Sequence, residues 1–391
     1  MLLSPISYLD CLIFTLLLIP QLLLQIGILP TLYTALSCLP FLLFRLPLSL
    51  LSERFILPTH ARLPSVQHAT FFQDLIIHCV RHAFRTLPLP IGRVFFSAAV
   101  TQPFLRWRML RHGHLQSPTY YRAVQTAGFH GLWVVADELR APDVVVYYAH
   151  GGGFAMGSSH FYLEFLLSLV HMLQHTQGFS NPAVLALDYS LAPEAAWPTQ
   201  LNEALAGYEH ALNIVEDGGR ICVAGDSAGG TLMLSLLLCL ATEDLADSRP
   251  ALASLISPWV TLDDRNAQAA AGDYLDLPTL RAYARQYAGK MIDDPLVSPG
   301  RCRDMDLWRR AAPLKGFQLL FGSEEVLAPE VRRLGKVLRS VGVAVEECEA
   351  VGGVHAWPVS ELFLGETQER RLRGISEMAA GIRSAVGREK E

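Results

Sequence analysis

Arg220-Ile221-Cys222-Val223-Ala224-Gly225-Asp226-Ser227-Ala228-Gly229-Gly230-Thr231-Leu232-Met233-Leu234 decides the reading of this chain. The segment up to Ala224 is short and apolar, as a buried strand is. The segment after Gly230 continues as a longer run of apolar helix formers, as a buried helix does. Between them stands a G-x-S-x-G, the pattern that puts a serine on a strained strand-to-helix turn. A Cβ on either glycine would collide with neighbouring backbone in so tight a turn. The strand–turn–helix context marks Ser227 as a candidate nucleophile rather than a loop serine.

Outward from this turn, apolar strand-like runs alternate with helical ones. Leu132–Val135, Val144–Tyr148, Ala183–Leu187, Ile221–Ala224, Leu252–Ile256 and Phe317–Phe321 are the strand candidates, with Val343–Glu346 a shorter one. Helical patterns lie near 161–175, 200–214, 230–243, 278–289 and 328–341. Alternation of this kind implies an α/β fold with a mostly parallel sheet and helices on both faces. Arg383 to Glu391 reads as a polar, fraying tail.

His150-Gly151-Gly152-Gly153-Phe154 follows directly on one of these strands. A glycine run there bares backbone N–H groups, which an oxyanion hole needs as charge grows on a carbonyl oxygen. The expected donors are the amides of Gly152, Gly153 and Ala228. A serine hydroxyl is a poor nucleophile without a base. His355, in Gly352-Gly353-Val354-His355, is the only histidine after His210 and so the candidate base. An acid must orient that imidazole. Gly322-Ser323-Glu324-Glu325-Val326-Leu327 offers two glutamates after the Phe317–Phe321 strand; we assign Glu325, with Glu324 the alternative.

These motifs resemble the hormone-sensitive-lipase branch of the α/β-hydrolases, which includes arylacetamide deacetylases and fungal steryl acetyl hydrolases. The resemblance rests on His150–Phe154, Asp188-Tyr189-Ser190-Leu191-Ala192-Pro193-Glu194 with Trp197-Pro198, Gly225–Gly230, Ser257-Pro258-Trp259 and Gly353-Val354-His355, in register over residues 145–357. It implies an α/β-hydrolase fold and a serine carboxylic-ester hydrolase that needs no cofactor. It places Glu325 where the family usually has aspartate in G-x-x-D-x-L. It also implies a structural role for Asp188 and Glu194, as paired carboxylates fixing the loop beneath the oxyanion strand. Acyl transfer through the same acyl-enzyme is an alternative. A non-catalytic, hydrolase-like receptor is another, against which the presence of His355 stands.

Composition bounds the rest. The chain has 391 residues, is 51% hydrophobic and carries a formal net charge of −5, with no basic stripe to suggest nucleic acid. Its seven cysteines are scattered, mostly in apolar runs, and suit buried thiols. No histidine–carboxylate cluster stands at metal-ligand spacing. From Cys11 to Phe44 no side chain is charged, which suits a membrane segment, either a kinked span followed by a second segment or a hairpin of two spans. A signal peptide and a lid helix are the competing readings. Residues 65–125 are amphipathic and helical, with Arg106, Arg108, Arg111 and His112 forming a basic patch, either a solvated face or a surface for anionic headgroups. The organisation expected is a membrane anchor over 1–51, a linker and helical cap over 52–130, and a catalytic domain over 131–391. The expected partners are a lipophilic ester, such as an acetylated sterol, acylglycerol or secondary metabolite, and a membrane. The endoplasmic reticulum is the expected location, with sidedness and oligomeric state left open.

Overall fold

The computed structural model describes residues 2–242 and 248–387. Eight strands form one sheet: β1 Tyr120–Gln125, β2 His130–Val135, β3 Val144–Ala149, β4 Pro182–Asp188, β5 Ile221–Asp226, β6 Leu252–Ile256, β7 Phe317–Gly322 and β8 Val345–Ala350. Their order is β1-β2-β4-β3-β5-β6-β7-β8. β2 pairs antiparallel with both β1 and β4, and every pairing from β4 to β8 is parallel. The sheet thus begins at Tyr120, inside the stretch assigned above to the cap. β1 escaped sequence reading because only Val124 of its residues is buried.

Helices α1 to α7 precede the sheet: Tyr8–Gln25, Ile28–Pro40, Leu46–Leu51, Pro64–His68, Phe71–Thr86, Leu89–Phe96 and Ala98–Arg111. Within and after the sheet come α8 Leu163–His175, α9 Thr199–Val215, α10 Ala228–Thr242, α11 Leu277–Ala288, α12 Met305–Ala311, α13 Ala328–Ser340, α14 Trp357–Leu364 and α15 Gln368–Val386. The sheet separates two apolar layers. One joins it to α9, α10, α11 and α13; the other joins it to α7, α8, α14 and α15. Strands covered on both sides must be apolar throughout, and all six residues of β3 are buried. α15 carries the chain to Val386 with Ile375, Met378, Ala379 and Ile382 fully buried. Arg383 to Val386 therefore belong to a docked helix and not to a tail, while residues 388–391 of that reading lie outside the described residues.

The central turn is as tight as its glycines imply. A Cβ on Gly225 would lie 2.7 Å from the Ala149 carbonyl oxygen, and one on Gly229 would enter the Ala149 carbonyl itself. That carbonyl cannot retreat, because it belongs to the backbone of β3. Gly229→Ala is accordingly expected to lower unfolding stability by about 3 kcal/mol, read from the chemical-denaturation midpoint.

Among the described residues, α1 and the segment Ile28–Ile56, which takes in α2 and α3, are the two stretches long and apolar enough to cross a membrane. They form a hairpin. Gly27 turns the chain at φ +97°, and the Thr31 hydroxyl donates to the Leu22 carbonyl across the turn. No residue from Cys11 to Arg45 is buried.

One member of the basic patch on α7, Arg108, has a different use from either one expected, while Arg106 and Arg111 are exposed. Arg108 is fully buried and makes two 2.8 Å bonds to Glu164 of α8, with Asp10 of α1 at 3.5 Å from its other nitrogen. Arg111 also pairs with Asp10, and the Trp107 indole donates to Asp10 at 3.3 Å. The acid at the head of an apolar helix and Glu164 together hold Arg108 out of water.

Candidate active site

Ser227 sits between β5 and α10 with φ +52°, a left-handed conformation that a non-glycine residue keeps only when its surroundings impose it. Here its amide donates to Ile256 at 2.9 Å, and its carbonyl accepts from Thr231 and Trp259, both at 3.1 Å. The turn is thereby held from β6 on one side and from the first turn of α10 on the other.

Asp226, the variable position of the G-x-S-x-G, fixes the glycine run to this turn. Its buried carboxylate accepts from the Gly151 amide and the Tyr148 hydroxyl, both at 2.8 Å, and from the Tyr162 hydroxyl at 2.7 Å. Burial pushes the Asp226 carboxyl above its usual range, and the two tyrosine hydroxyls pull against that shift. Gly152 and Gly153 follow with φ +113° and +64°. A side chain on Gly153 would meet the Tyr283 ring at 2.7 Å. Among the described residues, the amides of Gly152, Gly153 and Ala228 donate to no acceptor in the protein. His150 is buried, stacked on Tyr189 at 4.3 Å, with Nδ1 held 2.7 Å from the Gly151 carbonyl. That leaves its ring in the scaffold.

The structure brings Glu325 rather than Glu324 to His355. Glu325 Oε2 lies 3.5 Å from His355 Nδ1, and both side chains are buried. This is ion-pair distance, longer than a formed hydrogen bond. Oε2 is already engaged by the Ser257 hydroxyl at 2.6 Å, while Glu325 Oε1 and His355 Nδ1 are both without a hydrogen-bond partner. The ring nitrogen therefore lies nearest the oxygen that Ser257 engages, with no hydrogen bond of its own, and catalytic hydrogen bonds often tighten only with substrate bound. Burial lowers the proton affinity of His355, but the Glu325 carboxylate, with Asp273 and Asp226 behind it, outweighs burial and holds the imidazole above its ordinary value. Burial raises Glu325 in turn, against the opposing effects of His355 and Ser257.

Three groups to which the sequence assigned no role support this pair. Ser257 has φ +45° and joins the two loops, donating to Glu325 and accepting from the Ala356 amide at 3.0 Å. Asp273 accepts from the amides of His355 at 3.2 Å, Tyr274 at 2.8 Å and Val326 at 2.9 Å. The Tyr274 hydroxyl donates to the His355 carbonyl at 3.1 Å. Only Ser257 lay within a quoted motif; Asp273 stands in a polar connection with no periodic pattern to single it out.

Asp188 and Glu194 are not a pair. Asp188 accepts from the Ser159 amide and hydroxyl, both at 2.6 Å, fixing the chain beyond the glycine run. Glu194 is exposed and binds Arg93 of α6 through both oxygens, at 2.8 and 2.7 Å. Arg93 also donates to the carbonyls of Ala155 and Ala192, so it ties α6 to the loop that follows the glycines. Among the described residues, no group of histidines, cysteines and carboxylates could hold a metal ion.

Comparison with known proteins agrees with this geometry. A family model for the alpha/beta hydrolase fold matches residues 146–359. An acetyl-hydrolase of Streptomyces hygroscopicus is 33% identical over 245 residues, covering 61% of this chain and 75% of that protein. The esterase LipI of Mycobacterium tuberculosis is 32% identical over 235 residues, 56% of this chain and 67% of its own. A putative steryl acetyl hydrolase of Schizosaccharomyces pombe is 25% identical over 270 residues, 64% and 70% of the two chains. Among solved structures, an esterase from the bacterial hormone-sensitive lipase family superposes with a TM-score of 0.62 at 24% identity. That likeness, covering 81% of this chain and 98% of the other, bears on the fold. With its elbow serine, buried histidine–carboxylate pair and glycine-run loop on one sheet, the chain belongs to the α/β-hydrolase fold family, in its hormone-sensitive-lipase-like branch, and is a serine carboxylic-ester hydrolase.

Proposed function

We propose that Ser227, His355 and Glu325 form the catalytic triad and that Gly152, Gly153 and Ala228 supply the oxyanion hole. The observation that carries this is the buried Glu325–His355 contact at 3.5 Å, set on the same sheet edge as a serine forced to φ +52°. Ser227 Oγ attacks the ester carbonyl as His355 Nε2 takes its proton. The three free amides receive the charge that develops on the carbonyl oxygen. His355 returns the proton to the departing alcohol, then takes one from water, which attacks the acyl-enzyme and frees Ser227. Glu325 holds the ring in the tautomer that leaves Nε2 facing the serine.

The substrates proposed are lipophilic esters with a short acyl group, such as acetylated sterols, acylglycerols or acetylated secondary metabolites. Support comes from the apolar N-terminal hairpin packed beside the cap and from relatives described as acetyl and steryl acetyl hydrolases. The same hairpin supports association with a membrane. A panel of acetyl, butyryl and long-chain esters of one chromogenic alcohol, followed by steryl acetates, tests the substrate class. A rate that rises steadily with acyl length would overturn the short-acyl assignment.

The raised proton affinity of His355 has a sign that can be measured. The base works only when neutral, so kcat/KM falls as pH drops through its pKa. That midpoint is expected above the ordinary histidine value of about 6.5. Linkage runs the other way for stability. The contribution of the protonated pair is complete below about pH 6.5 and is lost as pH rises through the folded-state value. A pH–rate profile with its acid midpoint below about 6 would contradict the assignment of charge around His355.

A further inference from the structure

We infer that the hairpin of α1 and α2 enters a lipid bilayer from one side and turns within it without crossing, leaving its two ends and the catalytic domain on the same side. This rests on the membrane association proposed above and specifies its geometry, which differs from two full spans.

Both limbs are anchored on the catalytic body at their bases. On the first limb, Asp10 is buried in the cluster with Arg108, Arg111 and Trp107. One turn further, Phe14 lies between Phe95 and Phe104, with ring centroids 4.6 and 5.0 Å away. On the second limb, Phe41 stacks on His82 of α5 at 3.8 Å, Leu46 and Leu50 are buried, and Arg54 pairs with Asp74. The N-terminal lead-in is docked as well, since the Ile6 amide donates to the Phe363 carbonyl at 2.8 Å.

What projects beyond these anchors is short. From Phe14 to the turn at Gly27 is about 13 residues, or roughly 20 Å of helix, and the return to Phe41 adds about 14, or roughly 21 Å. A bilayer core is about 30 Å thick, so each limb passes its midplane and stops short of the far side. Full crossing would drag the Asp10 cluster or the Arg54–Asp74 pair into hydrocarbon, at a cost of several kcal/mol per ion.

The projecting surface suits lipid. Leu24 is 79% exposed, Leu29 79% and Tyr33 76%, and the run holds no charge until Arg45. Charge then appears at the base. Arg45 and Arg85 both lie close to His82, where Phe41 leaves the body, and Arg85 is largely exposed. Two cations beside the root of an apolar hairpin match the phosphates of a headgroup layer.

The test uses the full chain reconstituted on sealed phosphatidylcholine–phosphatidylserine vesicles, with Cys11 and Cys38 replaced by alanine. Gln25→Cys reports the hairpin tip, and Leu139→Cys reports an exposed point of the catalytic body. A membrane-impermeant maleimide is supplied either outside the vesicles or sealed within them. The protein should float with the vesicles, with position 139 labelled from outside and position 25 from neither compartment until detergent is added. Labelling of position 25 from inside would establish a full crossing and overturn the inference. Labelling of that position from outside would show an uninserted hairpin. Failure to float, with a doubled mass in solution, would make a second copy of the chain the occupant of this surface. Hydrolysis of a water-soluble ester is followed in the same samples; its loss alone would count against the proposed triad and leave the topology result standing.

Discussion

Ser227→Ala is expected to lower ester hydrolysis by roughly four to six orders of magnitude while leaving the protein folded. The methyl group occupies the same turn, and the bonds that hold the turn run through the backbone of Ser227, Thr231 and Trp259. Reaction with a fluorophosphonate should vanish with the hydroxyl. Ser227→Gly makes a sharper companion. It should be equally inactive, yet more stable by about 1 kcal/mol, because glycine holds φ +52° without the steric cost that serine bears there. Ester turnover surviving in either variant would exclude Ser227 as nucleophile. A glycine variant less stable than alanine would mean that the turn is not strained.

Glu325→Gln should reduce kcat by about three to four orders of magnitude, the scale seen when a triad acid is made an amide. The side chain keeps its shape, and its carbonyl oxygen can still accept from Ser257. The amide carries no charge to keep the proton on Nδ1 or to stabilise the imidazolium that forms when Nε2 accepts from serine. Removing the carboxylate also removes the largest influence raising the proton affinity of the ring, so any residual activity should show its acid limb shifted downward. Glu325→Asp withdraws the carboxylate by about 1.5 Å, one carbon–carbon bond, and should fall between the two. Glu324→Gln is the control and should behave as the parent enzyme. If its rate collapsed while Glu325→Gln remained active, the acid would be Glu324.

The parts of this site that sequence made legible are those in which chemistry demands a residue type at a local spacing. Gly225 and Gly229 flank Ser227 because the chain crosses its own backbone there, and that constraint is written in five consecutive letters. The choice of His355 followed from its position along the chain. Asp226 lies in the same five letters, yet its partners Tyr148, Gly151 and Tyr162 are remote in sequence, so nothing nearby announced that it fastens the glycine run. Arg108 shows the opposite failure. A cation among cations looks solvated until Asp10, nearly a hundred residues earlier, folds against it. The α15 helix was hidden by its charged outer face, and β1 by an edge position that buries a single side chain.

Asp273 carries a consequence for anyone who would redesign this enzyme. One carboxylate clasps the amide of Val326, just past the acid, and the amide of His355 itself, while Arg81 of α5 grips the main chain beside it through the carbonyls of Asp273 and Ala271. The two loops are therefore not separable modules. Transplanting either one from a homologous hydrolase, without residues 271–274 and a matching helix, would leave the imported segment unmoored. A successful chimera would have to carry the whole buckle.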